Sequence, residues 1–320
     1  MHSGNYILGI DLGGTKIAGA ILSRSGQAAA RRERPTNAHE GPEQIYTNVL
    51  QLINTLSADA EIPVSQLEGI GIGVPGVVTS EGAVEWAPAL RWKDFPLARR
   101  LEEDLKARVI VENDVRLQAL GEYRFGAARG ADPMVYLAIG TGLGSGIIIN
   151  GRIHLGCHRT AGEVSNMVVD RSQLGKTFGG FGGLELYASG AGLARLFSEL
   201  YPNHPAVQPG ITGAHVCAMA ADGVSEALAV LQEFAHYLAL AVVNLAVTID
   251  PELIVLGGGV AQAANLFLPQ VIELTRPVVP ALPRIVVSKL GTLTGPLGAL
   301  ALLTSTASQR PAGPGTAREQ

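Results

Sequence analysis

Residues 134–170 read MVYLAIGTGLGSGIIINGRIHLGCHRTAGEVSNMVVD, and this stretch decides the fold. It opens with an apolar β-type run, MVYLAIG, that passes directly into the turn Gly140-Thr141-Gly142-Leu143-Gly144-Ser145-Gly146. A second β-type run, Ile147 to Ile149, is followed by Asn150-Gly151, a hairpin signal. Two strands joined by a glycine-rich turn bring backbone N–H groups up to an anion with no Cβ in the way. A carboxylate, Glu163, follows just after Gly162. A phosphate cradle near a polar, carboxylate-bearing segment points to phosphoryl transfer onto a small hydroxylated molecule.

Working outward, the same arrangement stands at the N-terminus. Tyr6 to Ile10 is a short buried-strand pattern, then comes Asp11-Leu12-Gly13-Gly14-Thr15-Lys16, then a strand from Ile17 to Leu22, then Ser25-Gly26 as a turn into a further strand. The two copies lie about 130 residues apart, which is domain-sized and far beyond a solenoid period. Two such hairpins facing one another would clamp a nucleotide between two domains.

At 320 residues, with 47% hydrophobic and 16% charged content, the chain has material for one large or two moderate cores. A net charge of −4 with no basic run argues against nucleic-acid binding. Two cysteines make no disulfide framework, which points to a cytoplasmic setting. MHSGNYILGIDLGG does not read as a signal peptide, and no uninterrupted apolar run reaches the roughly 18–20 residues of a membrane span, so no membrane role is expected.

Helical patterns cover Pro42–Leu56, Leu97–Ala107, Val115–Gly126, Leu184–Leu200, Val224–Thr248 (stopped by Asp250-Pro251) and Pro296–Leu303. Strand patterns cover Leu67–Val74, Val109–Val111, Leu253–Leu256 and Arg284–Ser288. The run from Ser305 to Gln320, rich in Pro, Gly, Ser and Thr, reads as a disordered tail.

Each candidate site has a bland reading beside the functional one. In Asp11–Lys16, Gly13, Gly14 and Thr15 offer donors to phosphate, and Asp11 suits a hydrated Mg²⁺; the alternative is an ordinary glycine turn, which the second loop disfavours. Asn113-Asp114 stands at a strand end, where ligands gather in parallel sheets. A sugar hydroxyl is a poor nucleophile at neutral pH, so a carboxylate such as Asp114 would orient it and take its proton. Asp or Asn before a helix is equally favoured as a cap, and spacing does not separate the two readings. Glu163 and Glu185 suit recognition of vicinal hydroxyls as a pair, but singly each reads as a surface charge. His154, Cys157 and His158 match no standard zinc spacing, and the bland reading is preferred. Gly257-Gly258-Gly259 after LIVL admits a base or ribose close to the backbone, or is a tight strand-to-helix turn, or both.

These motifs, in this order, resemble the ROK family of bacterial sugar kinases within the actin-like ATPase superfamily. The resemblance runs from about Tyr6 to Leu303 through IDLGGTKIAGAIL, GIGVPG, VENDV, AIGTGLGSGIIINGRIHLG, AGEV, LELYASG and LIVLGGGVA. It implies an α/β, two-domain actin-like ATPase (ribonuclease H-like) fold with a nucleotide and sugar cleft between the domains. The small domain would span 1–116, completed by a C-terminal helix at 296–304, and the large domain 117–295. Asp114 would be the catalytic base. Gly76, Asn113, Asp114, Glu163 and Glu185 would contact the sugar. Asp11, Gly13, Gly14, Thr15 and Lys16, with Gly140, Thr141, Gly142 and Gly144, would grip the phosphates of ATP with Mg²⁺, and Gly257 to Gly259 would border the adenosine. The family's oligomers imply a homodimer or homotetramer.

The sequence departs from the family pattern at its zinc site. Asn166 stands where the family carries a histidine that touches the sugar and binds zinc, and Lys176, Phe178 and Gly183 stand at three cysteine positions. No structural zinc is therefore expected; Asn166 would read a sugar hydroxyl in the histidine's place, and Phe178 and Phe181 would supply apolar packing instead of metal. Ala89 occupies a position where the family often shows an asparagine near the sugar. Repressors of the family carry a winged helix ahead of the first loop; with Asp11 already in that loop, the expectation is a kinase. The reading is an ATP-dependent hexose 6-kinase, glucose first, whose closing lobes would exclude water. Alternatives are another hexose (mannose, fructose, an N-acetylhexosamine or amino sugar), polyphosphate as a donor, or a non-catalytic sugar sensor.

Overall fold

The computed structural model describes residues 5–307. The first hairpin is β1 (Tyr6–Leu12) against β2 (Lys16–Ser23), and β3 (Ala28–Pro35) pairs antiparallel outside β2. β3 reads AAARRERP and is mostly exposed, a charged edge that resists pairing with another chain. Helix α1 (Pro42–Asp59) starts on its proline and buries Ile45, Val49, Leu52, Ile53 and Leu56 against β1 and β2. Then come β4 (Ile70–Val74), a small antiparallel sheet of β5 (Val77–Val78), β6 (Val84–Ala87) and β7 (Trp92–Phe95), then α2 (Leu97–Leu105) and β8 (Val109–Asn113). β4 is buried at every residue, as a central strand covered on both faces must be. Helix α3 (Asp114–Phe125) follows β8 without a linker.

The second hairpin is β9 (Met134–Ile139) against β10 (Leu143–Ile149), continued by β11 (Arg152–Ile153). Asn150 and Gly151 both take positive φ, 54° and 71°, the two-residue turn whose twist suits a hairpin. Irregular chain leads to α4 (Glu185–Ala188), α5 (Gly190–Leu200), α6 (Gly213–Ala221) and α7 (Ser225–Ile249). β12 (Leu253–Gly257), α8 (Leu268–Thr275), β13 (Arg284–Val287) and α9 (Thr294–Ala307) complete the described chain.

The two main sheets have one plan. The first runs β3-β2-β1-β4-β8 and the second β11-β10-β9-β12-β13; in each the hairpin is antiparallel and the last three strands are parallel. The chain forms two compact units, one reaching to Gly121 and resuming at Thr292, the other Glu122–Gly291. Each has its own core: Leu8, Ile10, Ile72 and the α1 residues in the first, and Leu137, Phe197, Phe234, Leu238, Ile254 and Phe267 in the second.

Three differences from the sequence reading have clear causes. The helix expected over Leu184–Leu200 breaks at Ser189, whose extended backbone caps α5: its Oγ accepts from Gly192 N and donates to the Glu185 carbonyl. α9 continues through Ser305, where the sequence reading places a tail, to Ala307, because the residues there hold no Pro or Gly to stop it, and the rest of that expected tail, residues 308–320, lies outside those described. α7 is long and apolar enough by composition to cross a membrane, but it buries Leu231, Phe234, Leu238, Val242 and Leu245 in the core of its own unit. That packing accounts for its apolarity.

Candidate active site

In the first unit, three parallel strands end side by side. The register pairs Asp11 with Gly73, Gly73 with Glu112 and Val74 with Asn113. The carboxyl ends of β1, β4 and β8 therefore present Asp11, Pro75-Gly76 and Asn113-Asp114 along one sheet edge, where open parallel sheets collect ligands.

Asp11 is half-buried. Burial pushes its carboxyl up to about 6, opposed by a hydrogen bond from Gln118 Nε2 (3.1 Å) and by the charge of Lys16. Gln118 lies one turn beyond Asp114 on α3, the i, i+4 relation that puts both on one helix face. After Asp11 the chain turns tightly, Gly13 N donating to the Lys16 carbonyl. Thr36, fully buried, holds the turn from outside: its Oγ1 donates to the Gly13 carbonyl (2.6 Å) and its N–H to the Thr15 carbonyl (2.9 Å). In a trans peptide the C=O and the following N–H point oppositely, so the Gly14 and Lys16 amides face away from Thr36. The Lys16 ammonium is exposed and bonds Glu33 at 3.1 Å. Ala89 packs beside Gly14: a Cβ built there would lie 3.0 Å from that of Ala89.

Asn113 does the capping that the sequence left open. Its Oδ1 accepts from Arg116 N, three residues on, and its Nδ2 donates to the Gly76 carbonyl, both at 3.1 Å. Gly76 has φ of +95°, and a Cβ there would fall 2.0 Å from the Trp86 carbonyl oxygen, so glycine is required for this crossing. With Asn113 as cap, Asp114 opens the helix half-buried, its Oδ1 accepting from Val115 N. Beneath it lies a buried ion pair: Glu112 Oε1 accepts from Arg116 Nη1 (3.1 Å) and from Asn113 N (2.9 Å).

In the second unit, the loop after β9 is anchored by helices. Gly190 N and Ala191 N, the first amides of α5, donate to the carbonyls of Gly140 (2.8 Å) and Thr141 (2.9 Å). By the same peptide geometry the Thr141 and Gly142 amides face away from α5. Glu185 Oε1 accepts from Leu143 N (3.0 Å) and Oε2 from Gly182 N (3.3 Å). Gly144 lies in β10 opposite Ala138, and Gly257 lies opposite Ala138 from β12, so Gly257-Gly258-Gly259 leaves the sheet beside the Gly140 loop. Ser145 Oγ donates to the Gly162 carbonyl (2.8 Å), holding the turn that carries Glu163 against β10. Glu163 precedes a short 3-10 turn, Val164–Asn166, that ends on Asn166, both side chains exposed, and the Ser165 carbonyl within it accepts from Leu184 N.

At the four positions where the family carries zinc ligands, Asn166, Lys176, Phe178 and Gly183 offer no thiolate or imidazole, and zinc does not fit them. Among the described residues no group of three or more His, Cys, Asp or Glu is placed to hold a metal. The expected aromatic replacement takes another form. Phe178 and Phe181 form an isolated bridge with Phe181 45% exposed, while buried Gln173 fills the interior. Gln173, Thr36, Gln118 and Arg116 are the residues that sequence reasoning missed. Only Gln118 and Arg116 left a trace, lying four residues beyond Asp114 and Glu112.

Two α/β units of one strand order, each opening with a strand–glycine loop–strand hairpin, define a two-domain actin-like ATPase fold. A ROK family glucokinase from Streptomyces griseus, solved with glucose and AMPPNP, superposes with a TM-score of 0.82 at 29% identity over 94% of this chain and 99% of that one. The ROK hexokinase of Thermus thermophilus gives 0.80 at 28% identity, over 95% and 100%. A glucokinase of Halalkalibacterium halodurans is 37% identical over 276 residues, 83% of this chain and 84% of that protein. The ROK family model matches residues 7–306, and the chain belongs to the ROK family.

Proposed function

We propose that this chain is an ATP-dependent hexose kinase that transfers the γ-phosphoryl group to the 6-hydroxyl of glucose. The observation that carries the reading is the sheet edge of the first unit, where Asp11, Gly76 and Asn113-Asp114 are delivered together. The similarity to glucokinases supports glucose as the acceptor.

In this reading Asp114 holds the hydroxyl and accepts its proton as the oxygen attacks phosphorus. Asn113 gives one amide hydrogen to Gly76 and one lone pair to Arg116 N, which fixes the backbone that aims Asp114, and its second N–H and lone pair serve a sugar hydroxyl. Gly76, Glu163, Asn166 and Glu185 complete the sugar set. In the loops Asp11–Lys16 and Gly140–Gly144, the amides that face away from their anchors, those of Gly14, Lys16, Thr141 and Gly142, receive phosphate oxygens, and Gly257 to Gly259 border the adenosine. Asp11 fits a hydrated Mg²⁺: it is a half-buried carboxylate whose own surroundings disfavour its charge, so a cation would relieve it. Mg²⁺ supplies charge neutralisation on the phosphates when bound. The working setting is the cytoplasm, as a homodimer or homotetramer.

The test is ADP release with ATP and Mg²⁺ across a hexose panel, with Asp114→Ala beside the wild type. Glucose is expected to turn over fastest, and Asp114→Ala to lose about 100- to 10,000-fold in kcat with hexose binding retained. Near-normal turnover in the variant would sink the role of Asp114. Turnover with another hexose alone moves the substrate, and binding without turnover makes the protein a sensor.

A further inference from the structure

The segment between Glu163 and Glu185 has almost no regular structure of its own. It contains two 3-10 turns, Val164–Asn166 and Arg171–Gln173, and no strand ladder. Its two ends nevertheless carry the sugar residues of the second unit, Glu163 and Asn166 on one arm and Glu185 on the other. An irregular segment has no ladder to satisfy its buried backbone groups, so isolated backbone bonds and side chains must do it.

One side chain does so at the centre. Gln173 is 8% exposed, at the end of a turn whose cap, Asp170, accepts from Ser172 N at 2.7 Å. Its amide is used at both ends. Oε1 accepts from Val169 N (2.8 Å), on the arm descending from Asn166, and Nε2 donates to the Gly183 carbonyl (3.0 Å), two residues before Glu185. Gly183 is matched to it, since a Cβ there would lie 2.7 Å from Gln173 Oε1 and 3.0 Å from the Met167 carbonyl oxygen. A second tie runs parallel, Leu184 N donating to the Ser165 carbonyl (3.0 Å). Beyond it Glu185 reaches Leu143 N. Gln173 therefore sets how far the arm bearing Glu163 and Asn166 stands from the one bearing Glu185.

We propose that Gln173 is a positioning residue for hexose recognition, its primary amide acting as the two-ended tie that registers the two sugar-binding arms. The proposal rests on the hexose-kinase reading and adds to it a residue that touches neither substrate nor phosphate. A primary amide is required because one end must accept and the other donate.

The experiment is steady-state kinetics of the full-length wild type, Gln173→Ala and Gln173→Glu, with hexose and ATP varied separately, alongside equilibrium hexose binding and thermal melting. Gln173→Ala is expected to raise the hexose KM and Kd at least about tenfold, with kcat and the ATP KM within about threefold. Gln173→Glu separates positioning from mere support. As a carboxylate it faces the Gly183 carbonyl with no proton to give. As a neutral acid it has the donor and acceptor of the amide, so its hexose KM relative to wild type should fall on acidification toward about pH 5.5. A hexose KM within twofold of wild type in both variants overturns the proposal. So does an equal loss in hexose KM, ATP KM, kcat and melting temperature, which marks general support. A Gln173→Glu ratio that stays elevated and flat with pH overturns it too. A wild type that neither binds nor phosphorylates any hexose overturns the underlying reading, and the positioning role with it.

Discussion

Asp11 shows how a single buried carboxylate can weigh against stability. Its carboxyl sits at about 6 in the fold, above its ordinary 3.8, because burial penalises the charge. The folded state therefore holds a proton that the unfolded chain has released between about pH 4 and 6, and stability at this position falls as pH rises through that window. Above it the ionised Asp11 is a cost that the fold carries. Asp11→Asn keeps an acceptor for Gln118 and cannot ionise. It is expected to melt higher than wild type at pH 7, by about 1–2 kcal/mol given partial hydration of the site, with the gain shrinking toward pH 5. It should also lose turnover. Melts without nucleotide at several pH values decide the matter, and equal melting at pH 7 would remove burial as the cause. For Mg²⁺-nucleotide the sign runs the other way: affinity should weaken as pH drops below about 6, where Asp11 takes up its proton.

At the scale of elements, the corner between β8 and α3 is the part most exposed to mutation. Arg116 and Glu112 are 3% and 8% exposed and form a buried ion pair at 3.1 Å. Arg116→Met removes the guanidinium 3.1 Å from the buried Glu112 carboxylate and is expected to cost about 3–5 kcal/mol, whereas Glu112→Gln with Arg116→Met should recover much of that loss. Denaturant unfolding of the three variants tests this, and additive losses would show that the pair is not one unit. The same corner shows how far sequence reasoning reaches. VENDV announced a strand running into a helix with polar groups at the joint, because apolar alternation and capping chemistry are local. It left Asn113 open between cap and ligand, since the deciding contact, to Gly76, is 37 residues away in the chain. The break at Ser189 was hidden for a related reason: LELYASGAGLARLF has helical spacing, and only the demand of the Gly140 loop for donors turns the chain there.

At the scale of the molecule, the duplicated sheet was legible and the organisation of 163–185 was not. Two DxGG- or GTGxG-type turns a domain apart pointed to two hairpin-led units, and both sheets have the same order. The small sheet of β5, β6 and β7 left no signal, because strands of two to four residues are too short for a period to show. With no thiolate or imidazole at Asn166, Lys176, Phe178 or Gly183, hexose phosphorylation is expected to stop on removal of Mg²⁺ and to ignore a zinc-selective chelator. Loss of turnover with that chelator would reveal a metal site these residues do not provide.

By itself the sequence determined the hairpins, the helices with a clear apolar stripe and the two glycine-rich turns, and it marked the candidate carboxylates. These rest on periodicity, turn chemistry and glycine placement, all of which act over a few residues. Tertiary structure alone decided which polar groups hold those loops in shape: Thr36 behind Gly13, Gln118 on Asp11, the start of α5 behind Gly140, and Gln173 between Val169 and Gly183. A buried hydrogen bond is chosen by whichever donor or acceptor the folded backbone leaves without water, and that depends on segments the chain brings together only when it packs.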